Sequence, residues 1–321
     1  MLDYHPYMQE KDLYQPTALT ILTTERCTNH CPHCLFSSTE EGREIDPQIF
    51  EHIISTANEV SHVTHLHLFG GEPFLNLDLL LKLLKITAQS DKKYIGIPTN
   101  CFWGNSEASA KTVLDQVAQT LPNGKFLNLF LSVDSQHQQK VGMANVANIV
   151  LAWLKNDYRN IQIHLNTFIH NKDFETLLNL LNLLKQMGIS IKIMDQAYDG
   201  EAYTFYISCN NSKIIRIRAV LSISVIGNAK SIFDPSKMHL QKTFSTSACR
   251  SQYCLFGTDG RAYHDDNEYI NRRDEGVAVG DKSLGETIRE IGENYKPVVA
   301  KLWMEESESA GGHPAFWTTY E

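Results

Sequence analysis

The sequence predicts an α/β fold: a full or partial (β/α) barrel, followed by a small α+β extension. Three observations predict it. Short apolar runs rich in β-formers alternate with helix-length amphipathic segments over the first two thirds of the chain. The chemically distinctive residues stand just after those apolar runs, where a barrel of parallel strands gathers its functional side chains. Beyond about residue 232 the chain becomes richer in turns and polar residues.

The elements are taken in order. After a tail over 1–15, "ALTILTT" (18–24) reads as a strand. "DPQIFEHIISTANEV" (46–60) reads as a helix, with Asp46 as N-cap and Pro47 at its first position. Strand "THLHLF" (64–69) precedes helix "LDLLLKLLKITAQ" (77–89), whose apolar residues keep helical spacing. Strand "YIGIP" (94–98) precedes helix 107–121, strand 125–133 precedes helix 146–156, and strand 161–169 precedes helix 174–188. The right-handed crossover rule puts these helices on one side of a parallel sheet. The segment 189–226 is less regular. "TFYISCNNSKIIRIRAV" reads as a hairpin turning at Asn210-Asn211, with "IIRIRAVLSI" as a sixth core strand and its hairpin partner as an insertion.

Composition narrows the function. A net charge of −8 and an isoelectric point near 5.9 argue against a general nucleic-acid binder. The most apolar segment is cut by lysines and is too short to span a bilayer, so no membrane association is expected. "MLDYHPYMQEKDLYQ" has neither a basic n-region nor an apolar h-region, and the expected location is the cytoplasm.

"TTERCTNHCPHCLF" (23–36) sets Cys27, Cys31 and Cys34 in a C-x-x-x-C-x-x-C spacing. With seven cysteines in a chain expected to be cytosolic, metal or chemistry is a better reading than disulfides. Structural zinc wants four ligands, and one short loop can hardly wrap His30 or His33 with three thiolates around one ion. A [4Fe–4S] cube fits better, because three thiolates leave one iron without a protein ligand.

This spacing, just after a predicted strand, resembles the signature of the radical S-adenosylmethionine (radical SAM) enzymes. The resemblance implies a core of six β/α units over 16–231, a [4Fe–4S] cluster on Cys27, Cys31 and Cys34, and SAM chelated to the open iron. It also implies a reducing partner such as flavodoxin or ferredoxin. "FGGEPFLN" (69–76) resembles the family's GGEP motif and assigns Gly70, Gly71 and Glu72 to SAM binding. Asn100 stands where the family often has asparagine-glycine, with Cys101 read as a small buried hydrophobe. Ser132 and Asp134 in "SVDSQHQ" suit the ribose and methionyl groups, and Asn166 and Thr167 after the fifth strand could reach them too. His33 takes the place of an aromatic residue near adenine, Phe36 shields the cluster, and His137 is structural or faces substrate.

The extension, 232–321, is similar to the SPASM and twitch extensions of peptide-modifying relatives. "TDGRAYHD" matches their hairpin, and "VAVGDKSLGETI" matches the segment after that hairpin, but Asp265 stands where a cysteine is expected. Only Cys249 and Cys254 could serve a second cluster, with His264, Asp265 or Asp266 as unusual ligands, so a degenerate extension and one cluster per chain are expected. The expected substrate is a peptide, acted on by a maturase or epimerase-like enzyme, with a small metabolite, sugar or nucleoside as the alternative. Cys209, Cys249 and Cys254 are candidate hydrogen donors for epimerisation. A non-catalytic metal or electron-carrying protein is the rival from another class.

Overall fold

The computed structural model describes residues 16–168, 171–198, 202–220, 253–264, 269–270 and 273–294. Five β/α units open the chain. Strands β1 (Ala18–Thr24), β2 (His65–Gly70), β3 (Tyr94–Thr99), β4 (Phe126–Ser132) and β5 (Ile161–Phe168) pair in parallel and in sequence order. Between and after them run α1 (Pro47–Thr56), α2 (Leu77–Ile86), α3 (Glu107–Thr120), the short α4 (Ser135–Gln138), α5 (Met143–Lys155) and α6 (Asn171–Gln186).

Local chemistry sets the helix starts. Asp46 caps α1 by accepting from Gln48 N, with Pro47 at the first position. Asn76 caps α2 through Leu79 N, and Ser106 caps α3 through Ser109 N. The helices pack in a row, α1 on α2, α2 on α3, α3 on α5 and α5 on α6. Their apolar faces meet Leu66, Leu68, Ile95, Ile97, Leu129 and Ile163 of the strands in one core. The strands alternate about that core: Leu127, Leu129 and Leu131 of β4 are buried against helices, while Asn128, Phe130 and Ser132 point to the opposite, inner face.

Three further strands come next: β6 (Ile191–Tyr198), β7 (Ala202–Cys209) and β8 (Lys213–Val220). β8 lies parallel to β5 and is the sixth core strand the sequence predicts. β7 and β8 form the expected hairpin, with Asn210 and Asn211 at φ 52° and 54°, the signs a type I′ turn requires. β6 is absent from the elements expected above; it pairs antiparallel with β7 and forms one edge of the sheet.

The hairpin of the extension joins the same sheet. β9 (Tyr253–Phe256) pairs in parallel with β1, β10 (Arg261–Tyr263) turns back on β9, and β11 (Val277–Ala278) pairs with β10. The strand order is β11-β10-β9-β1-β2-β3-β4-β5-β8-β7-β6, an open sheet whose ends do not meet. A final helix, α7 (284–294), sends Leu284, Ile288 and Ile291 into the main core.

Candidate functional site

All parallel strands end at one rim, and the cysteine loop leaves that rim after β1. The loop is fixed to the body by backbone bonds. Cys27 N donates to Thr39 O (2.7 Å), Glu25 N to Arg43 O (2.7 Å) and Cys34 N to Cys31 O (3.1 Å). Cys27 and Cys31 are buried and Cys34 is half-buried. Asn29 N (3.4 Å) and Asn100 Nδ2 (3.8 Å) both donate to Cys27 Sγ, so Asn100 bears directly on the first thiol of the motif. Burial pushes the Cys27 thiol up to about 11, so it waits as a thiol until a metal displaces its proton.

The GGEP stretch serves this loop. Gly71 N donates to Thr24 O and Glu72 N to Arg26 O, both at 2.8 Å. A Cβ on Gly70 would lie 2.0 Å from Thr24 O, and one on Gly71 would lie 2.3 Å from Arg26 O. Gly70 also holds φ 138°. The two glycines therefore let the second strand end approach the backbone at the start of the cysteine loop. Glu72 is fully buried. Its carboxylate accepts from Asn100 N (2.6 Å), Thr99 Oγ1 (2.9 Å) and Phe74 N (3.1 Å). Four lone-pair positions minus three bonds leaves one for a further donor. Burial pushes this carboxyl up to about 7 against the pull of those donors. Cys101 is wholly buried, as expected of a small hydrophobe, at φ 72°.

At the fourth strand end Asp134 caps α4, accepting from Gln136 N (3.1 Å) and His137 N (3.0 Å). Its other oxygen accepts from His137 Nδ1 at 2.6 Å, and His33 Nε2 lies 3.9 Å from its Oδ1. Burial alone would lower His137, but Asp134 and Cys31 raise it well above the ordinary range, so the ring is held as an imidazolium. Burial lowers His33 and outweighs Asp134, keeping that ring neutral. The His33 ring meets His137 edge-on at 4.8 Å and Phe168 at 5.7 Å. Ligand atoms of Cys31, His33 and His137 lie within 4.8 Å of one another. His137 is the partner sequence reasoning placed only loosely; its signal is the Asp-x-x-His spacing at a strand end, which α4 turns into a carboxylate–imidazole pair.

Ser132 and Asn166 stand opposite each other at the ends of β4 and β5. Thr167 is buried and points to the helix side, where its hydroxyl reaches Asp173 O at 3.5 Å. Phe36 packs against Phe69 and Tyr269 in a second small cluster.

Two candidate hydrogen donors are not brought to this rim. Cys209 is opposite Lys213, at the beginning of β8. It lies at the far end of the parallel strands, about 23 Å from the rim at ~3.3 Å per residue, and it is buried among the helix-facing residues. Cys254 pairs with Leu19 near the start of β1 and joins the same core. Neither thiol faces the inner side of the sheet. Cys249, Asp265 and Asp266 lie outside the described residues. His264 is buried at the end of β10.

The extension touches the cysteine loop through Glu25, two residues before Cys27. Thr258 Oγ1 donates to Glu25 at 2.9 Å, and Tyr269 and Arg273 also bond its carboxylate. Arg273 lies over the Tyr269 ring at 4.4 Å. Glu25, Tyr269 and Arg273, with Phe36, Ser37, Ser38 and Thr39, border a cleft of about 310 Å³.

The residues fit an iron–sulfur cluster and a polar cofactor. Three thiols share one loop, and buried Asn29 Nδ2, His33 Nδ1 and Asn166 Oδ1 have no hydrogen-bond partner among the described residues. The family model of the radical SAM superfamily matches residues 21–201, more than half of the chain. The chain belongs to the radical SAM superfamily. It is an enzyme of that superfamily, and its cofactors are a [4Fe–4S] cluster and SAM.

A solved structure shares the fold. BtrN in complex with AdoMet and 2-DOIA aligns over 91% of this chain and 90% of its own, with 14% identity and a TM-score of 0.50. Streptococcus suis SuiB bound to S-adenosylmethionine aligns over 85% of this chain and 65% of its own, with 10% identity and a TM-score of 0.43. No curated protein sequence matches the chain significantly. Among the described residues no helix is long and apolar enough to cross a membrane.

Proposed function

We propose that this radical SAM enzyme removes a hydrogen atom from a substrate held inside the partial barrel, with Cys27, Cys31 and Cys34 holding the cluster. The observation that carries the reading is the joining of two further strand ends to the thiol-bearing loop that follows β1: β2 through Gly71 and Glu72, and β3 through Asn100. With cluster and SAM bound, reductive cleavage of the sulfonium supplies a 5′-deoxyadenosyl radical. Asn100 and Asn29 donate toward the Cys27 sulfur and fix its position. Glu72 orders the turn beneath and keeps one lone pair for the methionyl ammonium, beside Gly70 and Gly71. Ser132, Asp134 and Asn166 line the rim where ribose and carboxylate groups would be held, and His33 offers an aromatic wall for adenine. A low-potential flavodoxin or ferredoxin supplies the electron.

The division into a barrel over 16–231 and an extension over 232–321 accompanies this reading. A peptide substrate is supported by the likeness of "TDGRAYHD" to the hairpins of peptide maturases, and β9 and β10 do form a hairpin. Epimerisation loses its support from Cys209 and Cys254, which lie in the helix-side core. A second reading, a small polar substrate, is favoured by the end-to-end alignment with BtrN, whose complex holds 2-DOIA.

The test is anaerobic reconstitution with iron and sulfide, then dithionite and SAM. Formation of 5′-deoxyadenosine, lost when any one of the three cysteines becomes alanine, is the expected result. Zinc-bound protein that assembles no cluster would overturn the assignment. Deuterated peptide and small-molecule fractions then separate the substrate readings, because 5′-deoxyadenosine carries deuterium only from the fraction that holds the substrate.

A further inference from the structure

The inner face of the sheet carries two neighbouring arginines, although the protein as a whole is acidic. On β8, Ile215 and Ile217 enter the helix-side core. Arg216 and Arg218 between them therefore face the inside of the barrel. Their rows are fixed by register: Arg218 stands beside Asn166, which stands beside Ser132, and Arg216 stands beside His164, which stands beside Phe130. Across the hairpin, Thr204 and Tyr206 pair with the same two arginines.

Both arginines are half-buried, and no carboxylate pairs with either guanidinium among the described residues. The Nε of Arg216 is buried without a hydrogen-bond partner. His164 donates its Nε2 proton to Asn128 Oδ1 at 3.0 Å and brings no counter-charge. Two adjacent cations without a counter-ion are costly inside a protein, and such groups are kept where a ligand completes them. The row of Arg218 lies two residues, about 7 Å, below Phe168, whose ring touches His33 of the cysteine loop. The row of Arg216 lies about 7 Å deeper. The pair thus opens into the space beneath the cluster loop.

We propose that Arg216 and Arg218 bind an oxyanion, phosphate or carboxylate, carried by the substrate, and that the substrate of this enzyme is accordingly an anionic molecule. The guanidinium fork takes two oxygens of such a group side by side, and two forks on neighbouring rows can grip one dianion. This assignment rests on the radical SAM reading for its meaning but not for its test, because anion binding needs neither cluster nor SAM.

The experiment is calorimetric titration of the full-length, cluster-free protein with inorganic phosphate and, separately, with malonate. Saturable binding of at least one probe is expected, weakened tenfold or more by Arg216→Met or Arg218→Met and less by the lysine variants. A probe preference tells the phosphate source from the carboxylate source. The methionine variants should unfold at the same temperature or higher, since each removes an uncompensated charge, whereas arginines with a structural role would cost stability when replaced. Saturable binding that persists in the Arg216→Met/Arg218→Met double variant, or none for either probe in the wild-type protein, overturns the proposal. Should a methionine variant fail to fold, that failure overturns it too, and Arg216→Lys/Arg218→Lys then shows whether charge alone had held the fold. In the reconstituted enzyme, 5′-deoxyadenosine should take deuterium from the acidic fraction of a deuterated extract. Deuterium from the neutral fraction alone would sink the anionic substrate while leaving the radical SAM assignment intact.

Discussion

Replacing Glu72 tests how the second strand end holds the site. Its carboxylate satisfies three buried donors: Asn100 N, Thr99 Oγ1 and Phe74 N. Alanine would leave all three unpaired. A buried donor left unpaired costs about 1–3 kcal/mol, which puts the loss at about 3–9 kcal/mol in total. That is a large share of a folding stability of about 5–15 kcal/mol. Glutamine keeps one acceptor oxygen and turns a donor toward another, so Glu72→Gln should fall between wild type and Glu72→Ala. The pH dependence has a definite sign. The folded carboxyl sits at about 7, above its ordinary value of 4.5. Between those values the folded chain holds a proton the unfolded chain has released, so stability falls as pH rises through this window. The fall is about 3 kcal/mol. Glu72→Gln has no such proton, and its deficit relative to wild type should shrink as pH rises from 4.5 to 7. Urea unfolding of the cluster-free protein measures both effects. Trp103 is a local reporter, because it stacks on Phe74 at 4.9 Å and its Nε1 donates to Thr99 Oγ1. If Glu72→Ala unfolded within about 1 kcal/mol of wild type, an ordinary surface-level effect, the reasoning would be refuted.

Gly71→Ala should destabilise the protein by about 3 kcal/mol or more, since the added carbon meets the Arg26 carbonyl rather than a yielding side chain; urea unfolding reads the loss, and a soluble variant of wild-type stability would contradict it. A triple Cys27, Cys31 and Cys34 alanine variant should hold essentially no iron, where the wild type holds about four irons per chain; retention of four by the variant would mean a second cluster. Glu25→Ala should free the extension from the cysteine loop, and limited proteolysis should then cut near 258–276 faster than in wild type. Glu25 is held below the ordinary carboxylate range: burial opposes this, and Tyr269, Arg273 and Thr258 outweigh it. Its contribution is therefore present at neutral pH and is lost as pH falls through the acidic range, so wild-type proteolysis should approach that of the variant on acidification.

The sequence by itself determined whatever depends on neighbours along the chain. Period-two and period-3.6 apolar patterns located β1 through β5 and the helices after them. Asp46 and Pro47 marked the start of α1, and Asn210-Asn211 marked the hairpin turn, because caps and turns are local chemistry. Three cysteines in eight residues named the cluster loop. Tertiary structure decided the rest. That Gly70 and Gly71 also let the strand end press against the backbone of the cysteine loop is visible only in the packed structure. β6 was missed, since "IKIMDQAY" forms an exposed edge strand with only faint alternation. Cys209 is one hairpin turn from a core strand in sequence, yet register puts it at the far end of the sheet from the cluster loop. His137 reaches Cys31 only because the parallel sheet ends the loops after β1 and β4 at one rim, and Arg216 and Arg218 share one inner face with His164 and Asn166 only because parallel pairing brings residues about fifty apart into adjacent strands. Which side of a strand faces the cavity is set by the whole sheet, and no run of a few residues contains that information.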